Sequence, residues 1–469
     1  MNWTRELLPI SMLLVVIVLV LRRLPRVDLG HSPAFLRRRV QNWLPVGLTY
    51  AFLYMGRYNL KACEGLLFDK QQFSTIYFWG TLTYGFSFLI NGPLTDRLGG
   101  RVTIIIAALG ALAANAAMGA LTMTHITAHT VGAVVPMEQR DALVPAFAAL
   151  YALNMYFQSF GAVSIVKLNA PWFHVRERGT FGGIFGILIS LGIYFAFDWS
   201  NAIKRALPVY WVFFVPAAIL SVFAVLDLVL VRDTPSRAGH DDFDLGDATD
   251  ASDDGPRAGV VEVATKMFRN PVILTIALIE FCSGYLRNAI MQYYPSYARE
   301  THSAGFVMAH WGMLLCIAGI SGGILAGVIS DRLFQSRRGP VSAVLYGGMI
   351  AGSLGMFAIL GTDAVGWAMI FMSLAIIGVH GMLSGTASMD FGGRKNTGVA
   401  VGIIDGFVYL GTAAEALVLK SVLPRGAHSH DPAHWWTWPA AILPAAVVGF
   451  ILALRVWNAK PRGDAPAAH

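Results

Sequence analysis

The chain has 469 residues, of which 55% are hydrophobic and 13% charged, and its mean hydropathy is +0.57. This composition excludes an ordinary soluble enzyme and is typical of a polytopic membrane protein. The formal net charge of +7 would suit a nucleic-acid-binding protein, but the arginines and lysines lie in short loops beside apolar segments. The positive-inside rule explains that placement, so no nucleic-acid partner is expected.

The first apolar segment covers residues 7–21, and its positive charges follow it. Since no small-residue cleavage site comes after it, we expect a retained helix with its amino terminus outside the cell rather than a cleaved signal peptide. About 15 apolar residues are few for a span, so a helix lying in the membrane interface stays an alternative. Residues 1–40 would then comprise this helix and a basic cytoplasmic segment.

Twelve further segments are mostly apolar over about 20 residues, the length needed to cross a bilayer core. They form two sets of six and predict an all-α membrane protein with two six-helix bundles, at residues 41–231 and 271–458. Residues 232–270 are rich in Asp, Gly, Ser and Pro, which predicts a cytoplasmic linker, and residues 459–469 form a cytoplasmic tail. The spans are expected near residues 42–63, 73–94, 102–122, 144–166, 180–198, 209–231, 271–293, 307–329, 341–361, 366–388, 398–420 and 437–457.

The loops between the spans differ in charge. If the spans alternate in direction, the arginine-rich loops all fall on one side, which the positive-inside rule identifies as cytoplasmic. Their basic residues are Arg22, Arg23, Arg26, Arg37, Arg38, Arg39, Arg97, Arg101, Arg176, Arg178, Arg332, Arg337, Arg338, Arg394 and Lys395. The opposite loops carry fewer charges, chiefly Lys61, Lys70, Arg140, Lys204, Arg205, Arg299 and Arg425.

Two arginines, Arg57 and Arg287, lie inside otherwise apolar segments, one in each set of spans. Each is followed further along the chain by the same signature, Gly-x-x-x-Asp-Arg, at residues 92–97 and 327–332. A charge near the middle of a span is costly and by default marks a substrate or ion pathway. The duplication predicts a single anion held between the two halves, with structural salt bridges to intramembrane acids as the alternative.

The guanidinium group suits this role because it stays charged when buried and presents a planar fork to phosphate or carboxylate. Tyr50, Tyr54 and Arg57 are spaced at i, i+4 and i+7, so one helix face carries both hydroxyls and the arginine. Core tyrosines with satisfied hydroxyls are the alternative interpretation of the two aromatic residues.

The first loop signature extends to Gly92-x-x-x-Asp96-Arg97-x-Gly99-Gly100-Arg101. Together with the six-plus-six layout, it resembles the loop motif of the major facilitator superfamily. The resemblance implies the major facilitator fold, with two six-helix bundles related by a pseudo-twofold axis, and alternating access between them. The residues then expected to act in gating are Asp96, Arg97, Asp331 and Arg332.

A narrower resemblance covers roughly residues 42–457. Tyr84-Gly-Phe-Ser, Arg176-Glu-Arg-Gly-Thr, Tyr-Leu-Arg287 and Pro295-Ser-Tyr are similar to segments of the organophosphate:phosphate antiporters, which include glycerol-3-phosphate and hexose-phosphate transporters. In that family one arginine per half binds the substrate phosphate, which implies this role for Arg57 and Arg287. The tyrosines that the resemblance places in the pocket are Tyr50, Tyr54, Tyr84 and Tyr409.

Three positions depart from the family pattern and reduce the number of cations at the site. Phe88 replaces a lysine, and Ile189 replaces the histidine of the glycerol-3-phosphate transporters. Tyr58 follows the first arginine, where a basic residue is frequent. A carboxylate or another singly charged anion therefore stays an alternative substrate.

Other polar residues occur within the spans, namely Asn154, Gln158, Glu280, His380 and Asp405. We assign Gln158 to substrate binding, and His380 and Asp405 to coupling or gating. Asp405 lies one turn before Tyr409 on the same helix face, where it can pair with Arg287 in the empty site or carry a coupling proton. A fixed Asp–Arg pair and a core histidine are the alternatives for Asp405 and His380.

The sequence thus predicts a monomeric secondary transporter that moves an organophosphate, such as glycerol-3-phosphate or a sugar phosphate, across the inner membrane. Inorganic phosphate or protons are the expected counter-substrates. A transporter-fold sensor of a sugar phosphate and a proton-coupled carboxylate transporter are the alternatives. No enzymatic reaction, metal or cofactor is expected, because no nucleophile or metal constellation converges in the spans and the three cysteines follow no disulfide or metal spacing.

Overall fold

The computed structural model describes residues 29–174, 177–245, 270–303, 305–334 and 337–458, together with a few isolated positions within 11–19 and 262–269. For residues 178–183, 185, 331 and 384–401 it describes the backbone alone. The helix predicted at residues 7–21, most of the Asp-rich linker and the tail at 459–469 therefore lie outside the described residues.

Eleven long helices make up most of the described chain. The long helices are α1 (Pro33–Tyr58), α2 (Lys70–Leu98), α3 (Gly100–His125), α4 (Met137–Asn169), α5 (Arg178–Tyr194), α6 (Trp211–Leu230), α7 (Pro271–Met291), α8 (Trp311–Leu333), α9 (Arg338–Ile359), α10 (Ala364–Val422) and α11 (Thr437–Arg455). Shorter helical segments continue four of the long helices. Asn59–Cys63 follows α1, Ala170–Trp172 follows α4, the π-helical turn Phe195–Trp199 and the helix Ser200–Ala206 follow α5, and Tyr293–Glu300 follows α7.

Ten stretches of the described residues are long and apolar enough to cross a membrane. Helices α1 and α2 are not among them, because arginines in α1 and hydroxyl and amide side chains in α2 dilute their apolar character. Both helices are nevertheless long enough to span, with 26 and 29 residues. The structure therefore agrees with the predicted all-α membrane protein.

Helix α10 differs from the sequence expectation. Two separate spans were predicted at 366–388 and 398–420, whereas the helix runs without a break from Ala364 to Val422. It contains two membrane-length stretches, Ala364–Leu383 and Gly402–Val422. The 59-residue run contains no proline, the residue that most strongly ends a helix.

Side-chain caps start several of the helices. Asp69 and Gln72 form a capping box at α2, in which each side chain bonds the other residue's backbone N–H. Asn270 accepts hydrogen bonds from two backbone N–H groups at the start of α7, and Ser32 accepts one at the start of α1. These caps satisfy donors that the first helical turn leaves unpaired.

The chain divides into two compact units. Unit 1 comprises Met1–Ile76, Leu94–Ala248 and Ala309–Ile320. Unit 2 comprises Tyr77–Pro93, Thr249–Met308 and Ser321–His469. Each unit thus includes a segment from the other predicted bundle, and the bundle boundaries at 41–231 and 271–458 stay predictions.

In unit 1, α1 packs against α3, α4, α5 and α6. The first turns of α8 also belong to this unit, where Met313 and Cys316 pack against Ile187 and Tyr194 of α5. Asp198 follows α5 and accepts hydrogen bonds from the backbone N–H groups of Gly312 and Met313, at 2.8 and 2.9 Å. This carboxylate therefore caps the amino-terminal end of α8, where helix dipoles favour negative charge.

In unit 2, α7 packs against α10 and α11, and α9 packs against the same two helices. Glycines bring α7 and α10 into backbone contact. A Cβ atom on Gly284 would collide with the carbonyl oxygen of Val408, and one on Gly411 would collide with that of Phe281. Small residues of this kind allow close helix approach in membranes, and here they fix α7, which carries Arg287, against α10.

Candidate functional site

Arg57 lies at the end of α1 in unit 1, and its side chain is 0% exposed. Its Nε donates a hydrogen bond to Gln158 Oε1 of α4 at 2.9 Å. The Tyr151 hydroxyl, also on α4, donates to the Arg57 carbonyl oxygen at 2.9 Å. Two contacts from one neighbouring helix therefore fix both the backbone and the guanidinium group of Arg57.

A network of buried amides supports this arginine. Gln158 Nε2 donates to Asn154 Oδ1 at 3.0 Å, and Asn154 Nδ2 donates to the Gly56 carbonyl at 3.0 Å. Asn115 of α3 donates to the same carbonyl at 3.2 Å and accepts a hydrogen bond from Asn59 at 2.9 Å. Because buried polar networks are stable when their members bond one another, this chain of amides holds the end of α1 in one geometry.

The guanidinium group lies against two tyrosines of α1: Tyr54, a predicted pocket residue, and Tyr58, which the sequence singled out only as a departure from the family pattern. The rings of Tyr50 and Tyr54 lie 5.2 Å apart, and those of Tyr54 and Tyr58 lie 5.7 Å apart. The Arg57 guanidinium carbon lies 4.5 Å from the centre of the Tyr54 ring and 5.9 Å from that of Tyr58. Cation–π contact stabilises a buried arginine without neutralising its charge, so the guanidinium keeps the positive charge that binding an anion requires.

Arg287 lies on α7 in unit 2 and is half-buried. The next residue, Asn288, donates a hydrogen bond from Nδ2 to Glu415 Oε2 of α10 at 2.5 Å. The Tyr285 hydroxyl donates to the Ala441 carbonyl of α11 at 3.1 Å. The turn of α7 around Arg287 is thus bonded to both neighbouring helices.

Three of the aromatic positions singled out in the sequence meet in unit 2. Tyr84 and Phe88 of α2 pack on Tyr409 of α10, with ring centres 4.0 Å apart for Tyr84 and 6.3 Å for Phe88. A Cβ on Gly85 would lie 3.1 Å from the Gly406 carbonyl oxygen, so the two helices approach closely at this point. The structure therefore brings together Tyr84 and Tyr409, which are far apart in the sequence.

The predicted coupling residues occupy different settings. His380 Nδ1 lies 2.9 Å from Oε2 of Glu280, which is fully buried. Asp405 is half-buried, one turn before Tyr409 on α10. The pairing of Glu280 with His380 was not anticipated, although the sequence singled out each residue.

The loop signature residues lie at the end of α2 and in the turn that follows. Asp96 Oδ1 forms an ion pair with Lys167 Nζ of α4 at 2.6 Å, whereas Arg97 is exposed. Gly99 has a backbone φ of +87°, which favours glycine. Of the second copy, Arg332 is exposed, and the Asp331 side chain lies outside the described residues.

Sequence reasoning missed three groups near these sites. Asn115 and Glu415 were overlooked, although a strongly polar residue inside an apolar span is the signal that singles out such positions. Lys61 was placed in an outer loop, but its side chain is buried, forms an ion pair with Glu64 and lies 4.3 Å from the Phe73 ring. Charge alone marked Lys61 as a loop residue, and its acidic partner, only three positions later, went unnoticed.

Comparison with known proteins identifies the relatives of this chain. The glycerol-3-phosphate transporter of Bacillus subtilis is 24% identical over 93% of this chain and 96% of the relative. A probable hexose phosphate transport protein of Chlamydia trachomatis is 25% identical over 93% of this chain and 96% of its own length. The membrane sensor protein UhpC of Salmonella typhimurium is 25% identical over 89% of this chain and 91% of its own length. These relatives confirm the resemblance to the organophosphate:phosphate antiporters.

Solved structures confirm the fold. The xylose transporter XylE from E. coli superimposes with a TM-score of 0.63 over 92% of this chain and all of its own, at 14% identity. The nucleoside transporter NupG superimposes with a TM-score of 0.61 over 89% of this chain and 98% of its own, at 13% identity. The family profile described as Major Facilitator Superfamily matches residues 42–414. The chain is therefore a multi-pass membrane protein and belongs to the Major Facilitator Superfamily, a family of transporters.

Proposed function

We propose that this protein is a secondary active transporter that moves an organophosphate anion across the inner membrane by alternating access. The observation that carries the proposal is the setting of Arg57. A fully buried guanidinium is oriented by Gln158 and faces two tyrosine rings. Such a preformed cationic fork matches the geometry of a phosphate group.

The relatives support the choice of substrate. Proteins named as glycerol-3-phosphate and hexose phosphate transporters match this chain over more than nine-tenths of its length. We propose that Arg57 and Arg287 both bind the phosphate, and that Gln158 and the four pocket tyrosines complete the substrate contacts. Asp405 would pair with Arg287 when the site is empty, and inorganic phosphate or protons would be the counter-substrate of a monomeric carrier.

The proposed topology follows the loop charges. The linker and the carboxy terminus would lie in the cytoplasm, and the amino terminus outside. The signature residues Asp96, Arg97, Asp331 and Arg332 would then act at the cytoplasmic face, where they would control the conformational change. The predicted gating role of Asp96 is supported by its ion pair with Lys167, which links α2 to α4.

Uptake into proteoliposomes tests the proposal. The purified protein would be reconstituted with inorganic phosphate inside, and labelled glycerol-3-phosphate, glucose 6-phosphate, inorganic phosphate and succinate would be offered outside. We expect uptake of at least one organophosphate above that of protein-free liposomes. Uptake of succinate alone would favour the carboxylate transporter, an alternative that the apolar Phe88 and Ile189 keep open.

The relatives named as UhpC sensors support a second candidate function. A transporter-fold sensor would bind a sugar phosphate without moving it. Thermal-shift measurements with the same anions separate the two functions, because a ligand that binds the folded protein raises its melting temperature by mass action. Stabilisation by glucose 6-phosphate without uptake would assign the protein to the sensors.

A further inference from the structure

Glu280 and His380 form an ion pair within the membrane-spanning part of unit 2. Glu280 lies on α7, in the span Pro271–Glu300, and His380 lies on α10, in the span Ala364–Leu383. The Nδ1 atom of His380 is 2.9 Å from Glu280 Oε2. The glutamate side chain is 0% exposed and the histidine side chain 27%. The pair therefore joins a fully buried acid to an imidazole that keeps an accessible edge.

His380 is the ionisable group in contact with Glu280, and α10 also carries Asp405 and Glu415, the latter bonded to Asn288 of α7. Among the described side chains, His380 is its ion-pair partner, and the second carboxylate oxygen, Oε1, has no hydrogen-bond partner. The hydroxyl of Tyr346, from α9, donates instead to a backbone carbonyl of α7 at 2.7 Å, and Cys282 is a buried thiol on α7 itself. Helix α11 also packs on α7, but its charged residue, Arg455, is exposed at its far end.

A carboxylate and an imidazole in contact can share one proton. The pair has a net charge of −1 without a proton and is neutral with one. A membrane interior disfavours net charge, so a change of charge nearby shifts the balance between these two forms. The pair can therefore bind and release one proton as a unit.

The pair lies close enough to Arg287 to respond to an anion there. Glu280 and Arg287 are two helical turns apart on the same face of α7, which is roughly 10 Å at 1.5 Å per residue. An anion bound at Arg287 makes the potential at the pair more negative and favours proton uptake. By thermodynamic linkage, a bound proton raises the affinity for the anion by the same factor.

We propose that Glu280 and His380 form a proton-binding site that takes up one proton when an anion binds at Arg287, so that the proton moves in the same direction as the anion and is a co-substrate rather than a counter-substrate. The proton enters at the exposed edge of His380 and is held between the imidazole and the Glu280 carboxylate. It is released to solution when the anion leaves. This inference rests on the proposed transport function and assigns protons as the coupled ion.

Proton uptake by the purified full-length protein tests the proposal. Glycerol-3-phosphate would be added in weakly buffered detergent solution while a pH indicator records protons taken up per anion bound. Protonation of the ligand's own phosphate is common to all variants and cancels in the comparison. We expect Glu280→Gln and His380→Gln each to take up about one proton fewer than the wild type. The anion affinity of these variants should vary with pH only through the ionisation of the ligand's own phosphate, whereas that of the wild type should rise about tenfold further as the pH falls.

Asp431→Asn is the matched control. Asp431 pairs with His434 at 3.0 Å, but in an exposed loop outside the spans, so this variant should keep wild-type proton uptake. Wild-type proton uptake in both Glu280→Gln and His380→Gln would overturn the proposed proton-binding site and leave the proposed transport function standing. If Glu280→Gln fails to fold, the His380→Gln variant tests the proposal by itself. The His380 side chain is already part-exposed, so its replacement is expected to be tolerated. A wild type that binds neither glycerol-3-phosphate, glucose 6-phosphate nor inorganic phosphate would overturn the proposed function, and the anion-linked pair with it.

Discussion

Gln158 Oε1 accepts a hydrogen bond from Arg57 Nε at 2.9 Å, and both side chains are 0% exposed. Gln158 is itself bonded to Asn154, which bonds the Gly56 carbonyl beside the arginine. The arginine is thereby held by a closed set of contacts between α1 and α4. A cationic group fixed before the ligand arrives avoids the entropic cost of ordering it on binding.

The first prediction concerns this contact. Gln158→Ala should weaken binding of the transported anion by about tenfold to a hundredfold, since a hydrogen bond to a charged group contributes about 1.5–3 kcal/mol. Isothermal titration of the purified variant measures the loss. Gln139→Ala is the control, because Gln139 is exposed at the start of the same helix and should bind normally. Normal affinity in Gln158→Ala would show that Gln158 does not position Arg57.

The second prediction concerns the loop signature. Asp96→Asn should slow turnover several-fold while anion affinity changes little, because Asp96 bonds Lys167 in a part-exposed setting rather than lining the arginine site. Lys167→Gln removes the same contact and should have the same effect, and the double variant should be no slower than either single one. Melting temperatures should barely change, since exposed ion pairs contribute only about 0.2–1 kcal/mol. Unchanged turnover with much weaker binding would contradict this assignment.

The third prediction concerns helix packing in unit 2. Gly284→Ala should destabilise the protein by about 1–3 kcal/mol, because the added methyl group meets the Val408 backbone and forces α7 and α10 apart. Thermal unfolding in detergent measures the change. Gly347→Ala on α9 adds the same group where nothing lies within 4 Å and should be neutral. Equal melting temperatures for the two variants would show that the α7–α10 contact tolerates separation.

The sequence predicted most of the helical architecture because span length and loop charge are local properties. Ten membrane-length stretches occur in the described residues, and the family assignment is confirmed over residues 42–414. The unbroken helix from Ala364 to Val422 was not predicted. Glycines and polar residues between two apolar stretches suggested a loop, but they do not end a helix as proline does.

The sites were predicted residue by residue but not as contacts. The spacing of Tyr54 and Arg57 on one helix gave their shared face, since helical periodicity suffices for neighbours on α1. Contacts between helices, such as His380 with Glu280, depend on helix rotation and tilt. A single sequence does not encode those angles in any local pattern. Asn115 escaped notice for the same reason, because its importance lies in the partners that packing gives it.

The central claim is that Arg57 and Arg287 bind the transported anion through their planar forks. Uptake of labelled glycerol-3-phosphate into proteoliposomes by Arg57→Lys and Arg287→Lys tests it most directly, with Arg425→Lys as a control at an exposed position. Lysine keeps the charge but loses the fork. Each site variant should therefore lose uptake by roughly a hundredfold or more, as expected for about 3 kcal/mol of charge-assisted hydrogen bonding, while expression and folding stay intact and the control transports normally. Near-wild-type uptake by either Arg57→Lys or Arg287→Lys would contradict the two-arginine site.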